Sequence, residues 1–219
     1  MKTIKSALAA GVAFVALASV ASATPCAGPN PCPDNRILNG QLNIGTTVSS
    51  LQTHITDITG EVTVTSAAIG NSLSVDVVGD TYVGNTQHNV GYVGSWLNAT
   101  VSDTKSVTLT SAAIANTASI KVTGADSLVV DNLQTQAWDP QATLHAHVSN
   151  IDGDVTLTAA AISNSLAIET DAALVRIGST QRNHGPNIAN VNATVTDVAG
   201  DVAVTSAAIG NSLSIKTGL

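Results

Sequence analysis

Side-chain amides recur through this chain at a near-constant interval, and stacked amides can hydrogen-bond to one another. Asn71, Asn116, Asn164 and Asn211 follow one another after 45, 48 and 47 residues. Gln41, Gln87, Gln134 and Gln181 follow after 46, 47 and 47, and two residues beyond each stand Asn43, Asn89, Gln136 and Asn183. A third register holds Gln52, Asn98, His145 and Asn192, again at 46, 47 and 47. A carboxamide carries both donor and acceptor, so like amides on adjacent strands form a ladder. The chemistry on offer is that of a lattice. Its expected members are the Asn71 and Gln41 series together with Asn98 and Asn192.

Other chemistries fare worse. His145 and His147 lie two apart and would share one face of a strand, with His54 in the register of His147. Thr100 and Thr194 fill that register elsewhere, and a catalytic zinc needs three convergent ligands. The turns DITGEV, NIDGDV and DVAGDV repeat acids, but Lys105 interrupts the series, and too few oxygens recur for calcium. No Gly-x-Ser-x-Gly elbow and no repeated carboxylate pair offers a nucleophile or a general acid. Asn98 and Asn192 also head Asn-Ala-Thr sequons. The reading is therefore of no enzyme, no cofactor and no metal site.

The elements that must carry the amides follow from the phrases around them. SAAIGNSLSV, SAAIANTASI, AAAISNSLAI and SAAIGNSLSI place Ile69, Ile114, Ile162 and Ile209 at intervals of 45, 48 and 47. An internal period of this length governs the fold. Around the first phrase Val62 and Val64 alternate with Thr63 and Thr65, and Leu73, Val75 and Val77 with Ser74 and Asp76. This is the period of a strand. The constant asparagine at the corner, with Gly70, Ala115 or Ser163 before it, suits a stacked arch better than a hairpin turn that demands glycine. The expected fold is all-β: a β-solenoid of four units of about 47 residues, each split into two strand-turn-strand halves, so about eight rungs. An antiparallel β-sandwich is the alternative.

Composition agrees with a thin, stacked core. The chain is 44% hydrophobic but only 2% aromatic, so large rings cannot fill a wide interior. Lys2 and Lys5, an apolar run from Ala7 to Val20 and Ala21-Ser22-Ala23 have the anatomy of an export signal over residues 1–23. Residues 24–37 read as a leader in which Cys26 and Cys32 form a small disulfide loop, and 38–219 as the repeat domain. No other apolar run is long enough to span a membrane. Loss of Lys2 and Lys5 from eight basic residues, against fifteen acids, takes the formal charge from −7 to −9. That excludes a nucleic-acid partner.

AAIGNSLSV and the Q-x-N motifs resemble the repeats of curlin-type functional amyloid subunits, loosely, over residues 38–219. The curlin repeat has glutamine where this chain has Ile69, and its units are single. With an exported, alanine-rich chain, the AAIGNS phrases are more similar to curli-related holdfast-anchor proteins of stalked alphaproteobacteria. The resemblance implies an outer-surface location, export through a curli-like outer-membrane pore and a part in attaching cells to surfaces. The expected function is a secreted structural subunit that stacks on copies of itself into an extracellular adhesive fibre, with surface polysaccharide as a further partner. The alternative is a monomer binding polysaccharide or ice through flat faces such as the Thr63–Thr65 and Thr108–Thr110 pairs.

Overall fold

The computed structural model describes residues 33–218. The expected export signal and the Cys26–Cys32 loop lie outside them. Eleven strands follow in order: β1 (Asn35–Asn43), β2 (Thr47–Ile55), β3 (Ile58–Val78), β4 (Thr81–Asn89), β5 (Val93–Thr123) and β6 (Ser127–Gln136). They continue with β7 (Pro140–Ile151), β8 (Val155–Thr170), β9 (Leu174–Asn183), β10 (Ile188–Val198) and β11 (Val202–Thr217). A four-stranded sheet runs β1-β4-β6-β9. A seven-stranded sheet runs β10-β7-β5-β8-β11, with β2 and β3 both paired to β5. Every pairing is parallel, and the sheets curl into a half-barrel.

This corrects the expected architecture on two counts. The β-solenoid of about eight strand-turn-strand rungs is not formed, because no strand pairs with one half a period away. Gln41 lies opposite Gln87, and Asn71 opposite Asn116, each a full period on. The two halves of a period carry different side chains, whereas parallel pairing one whole period on sets like beside like. The antiparallel β-sandwich is excluded by the parallel registers, and connections that cross between sheets replace hairpins.

Strand alternation places the core. In β3, Val62, Val64, Ser66 and Ala68 point inward, and the parity then slips, so that Gly70 and Asn71 are both buried and Leu73 and Val75 follow. The slip bends the strand at its asparagine. On one side of the bend Val64, Leu97, Leu109, Leu144 and Leu157 form one apolar cluster; on the other Leu73, Val83, Ile120, Leu128 and Leu166 form a second. Each such side chain contributes about 1.5–3 kcal/mol when fully removed from water. A second corner recurs at Asp57, Asp103, Asn150 and Asp197, all left-handed, with φ of 53–56°. Asp and Asn tolerate that region better than other residues with a side chain.

Candidate functional site

The bend asparagines form one ladder, in which Asn71, Asn116 and Asn164 are buried and Asn211, in the last period, is exposed. Asn71 Nδ2 donates to Asn116 Oδ1 at 2.8 Å, Asn116 Nδ2 to Asn164 Oδ1 at 2.8 Å, and Asn164 Nδ2 to Asn211 Oδ1 at 2.7 Å. The glutamines run the other way. Gln181 Nε2 donates to Gln134 Oε1, Gln134 to Gln87 and Gln87 to Gln41, at 2.8, 2.8 and 2.9 Å. Each of the four also donates to a backbone carbonyl across the interior, of Ser72, Thr117, Ser165 or Ser212. The Gln ladder thereby ties the four-stranded sheet to the strand just past each bend. Buried amides satisfied twice in this way fix the register of both sheets, since a slipped strand would strand its amides without partners.

The third register lies elsewhere. Gln52, Asn98, His145 and Asn192 are exposed on the outer face of the seven-stranded sheet, so Asn98 and Asn192 are outside the buried ladders. His145 is exposed there too, as are His54 and His147, and among the described residues no group of three or more metal-ligating side chains assembles. Thr63 and Thr65 also face outward, level with Thr108 and Thr110. Asn43, Asn89 and Asn183 turn corners: their Oδ1 atoms accept the amide hydrogens of Gly45, Gly91 and Gly185.

Two polar arrays escape the sequence reading. Asn39 Nδ2 donates to Asn85 Oδ1, Asn85 to Asn132 Oδ1 and Asn132 to Ser179 Oγ, at 2.7, 2.6 and 3.0 Å. Its signal stands two residues before each glutamine, in NGQ, NTQ, NLQ and STQ. The other is a buried hydroxyl chain, in which Ser49 and Ser66 share a bond of 2.9 Å and Ser95 and Ser111 continue it. Alanines end it at positions 142 and 159, so no full-length repeat exposes it in the sequence.

Both ends of the stack are unfinished among the described residues. The outer edges of β1, β2 and β3 and of β9, β10 and β11 have no strand beside them. Val155 and Leu166 are 0% and 1% exposed, whereas their partners in the last period, Val202 and Leu213, are 47% and 48% exposed. At the other end Asn71 is 2% exposed and its Oδ1 has no hydrogen-bond partner. An unpaired parallel edge templates another strand.

A shallow groove of 650 Å³ lies on the outer face of the four-stranded sheet, against Leu38, Tyr82, Asp131 and Leu133. Gly84 makes room there for Leu38, and Tyr82 Oη donates to Asp131 Oδ2 at 3.0 Å. Burial, and after it this bond to Asp131, raises the phenol above its ordinary value.

A family model for holdfast attachment protein D matches residues 10–218. The chain belongs to that family. Membership gives it a role in holdfast attachment and places it at the cell surface. No curated protein and no solved structure matches it.

Proposed function

We propose that this holdfast attachment protein is a structural subunit that stacks head-to-tail on copies of itself, forming an amyloid-like fibre of the curlin type at the cell surface. The carrying observation is the partnerless, buried Asn71 Oδ1 at one end of a ladder whose other end is Asn211. Asn211 Nδ2 of one copy is the donor that Asn71 Oδ1 of the next lacks. The Gln ladder supplies the reciprocal bond, from Gln41 Nε2 to Gln181 Oε1. The same step covers the exposed Val202, Leu213 and Ile215 with an apolar first period. In this reading the protein is not an enzyme, needs no cofactor and leaves the cell through a curli-like pore.

Electron microscopy of the full chain diluted out of denaturant, with fibre diffraction on the product, tests the reading. Filaments with a meridional spacing of about 4.7–4.8 Å are expected. Compact monomers that persist at high concentration and after seeding would overturn it, and would turn attention to the Tyr82–Asp131 groove as a polysaccharide site.

A further inference from the structure

A column of charge crosses the outside of the stack with alternating sign. Asp76 lies beside Lys121, Lys121 beside Glu169 and Glu169 beside Lys216, one residue per period. Lys216 Nζ reaches Glu169 Oε1 at 2.7 Å. The column therefore begins with a negative charge on the first period and ends with a positive one on the last. The end layers follow suit as wholes. Residues 33–78, the first period, carry Arg36 against Asp34, Asp57, Glu61 and Asp76, a net −3; residues 174–218, the last, carry Arg176, Arg182 and Lys216 against Asp197 and Asp201, a net +1.

Resting on the head-to-tail reading above, we infer that the partner surface for each end of this chain is the opposite end of a second copy, and that Lys216 against Asp76 selects that polarity. In register, Lys216 of one copy takes the place beside Asp76 that Lys121 takes on its other side. Head-to-head contact would set the two net-negative layers together, and tail-to-tail contact the two positive ones; opposed like charges are the usual means of rejecting a wrong partner. The junction also sets Arg176 near Arg36, Asp197 near Asp57 and Asp201 near Glu61. The fold already stacks Asp57 in the same corner column as Asp103, so such pairs are tolerated, and the Lys216–Asp76 pair is the one of opposite sign.

The test is complementation by mixing. Asp76→Lys gives a chain positive at both ends of the column, and Lys216→Glu gives one negative at both. Each alone should show a critical concentration for fibre growth raised about tenfold in low salt, the swing from attraction to repulsion at one exposed junction pair. An equimolar mixture should grow at close to the wild-type level, because every mixed junction regains opposite charges. Salt at about 1 M should relieve the defect of each variant alone. Rescue by mixing cannot come from variants that fail to fold. If the wild type grows fibres and each variant alone grows as well as it does, or the mixture is no better than its components, charge selection is overturned while the fibre reading stands. If the wild type forms no fibre, the fibre reading itself falls, and charge selection falls with it.

Discussion

At the scale of the residue, the interior amides differ from the exterior ones in what their loss leaves behind. Asn116 accepts from Asn71 and donates to Asn164 and to the Thr135 carbonyl. Replacing it by alanine leaves two buried groups, Asn71 Nδ2 and Asn164 Oδ1, and the half-buried Thr135 carbonyl short of a partner, at about 1–3 kcal/mol for each buried group before relaxation. Asn116→Ala should therefore lower the midpoint of denaturant unfolding strongly, and Asn116→Asp should lower it further, since a buried carboxylate cannot donate to Asn164 Oδ1. Asn98→Ala, on the exposed face, should stay within about 0.5 kcal/mol of the parent. Equal effects at positions 98 and 116 would show that the buried ladder contributes nothing to stability. In the sequence both asparagines repeat at nearly the same interval, though the Asn116 series is asparagine in every copy and the Asn98 series admits Gln52 and His145. Only the parity slip at Gly70–Asn71, repeated at Ala115–Asn116, separates the inward amide from the outward one.

At the scale of the element, alternation was legible and its reach was not. Val62, Val64, Leu73 and Val75 announce strands because their inward faces are apolar and their neighbours polar. What the letters leave open is whether a strand pairs with the next half-period or the next whole one, since both offsets keep inward residues inward. The side chains decide it: only the whole period sets amide on amide. The terminal strand β11 shows how an element at the edge is held. Within its sheet it pairs with β8 alone, and its exposed Lys216 bonds Glu169. That hydrogen bond first, and the Lys216 charge second, hold the Glu169 carboxyl below its ordinary 4.5. A carboxyl whose pKa is depressed by folding stabilises above its unfolded value and loses that contribution as pH falls through the folded one. The gap in stability between the parent and Glu169→Gln should accordingly be present at pH 6 in low salt and close as the pH drops below about 4.5. A gap that persists unchanged at pH 3 would show that Lys216 does not hold this carboxylate.

At the scale of the whole molecule, nearly all structure is made between residues a full period apart, and β-pairing at that distance costs loop closure before it stabilises anything. Each period rests only on the ones beside it, as in repeat proteins whose units contribute through their neighbours. The number of periods should then be adjustable while their length is not. Removing residues 127–173 joins Asp126 to Leu174, and Leu174 takes the place of its own partner Ser127. Gln181 then meets Gln87, and Asn211 meets Asn116, so both ladders close again. The cost is one period of buried apolar surface, together with Lys216 brought beside Lys121 on the exposed face. Removing residues 127–150 instead sets Thr158 where Gln134 stood, so the Gln ladder breaks and every later strand reaches the wrong sheet. Circular dichroism and thermal unfolding should show the first deletion folding into a β structure with a lower but cooperative transition. The second should show no such transition. A half-period deletion that folds as well as the whole-period one would mean that register is not set by like amides, and the account of both ladders would have to be given up.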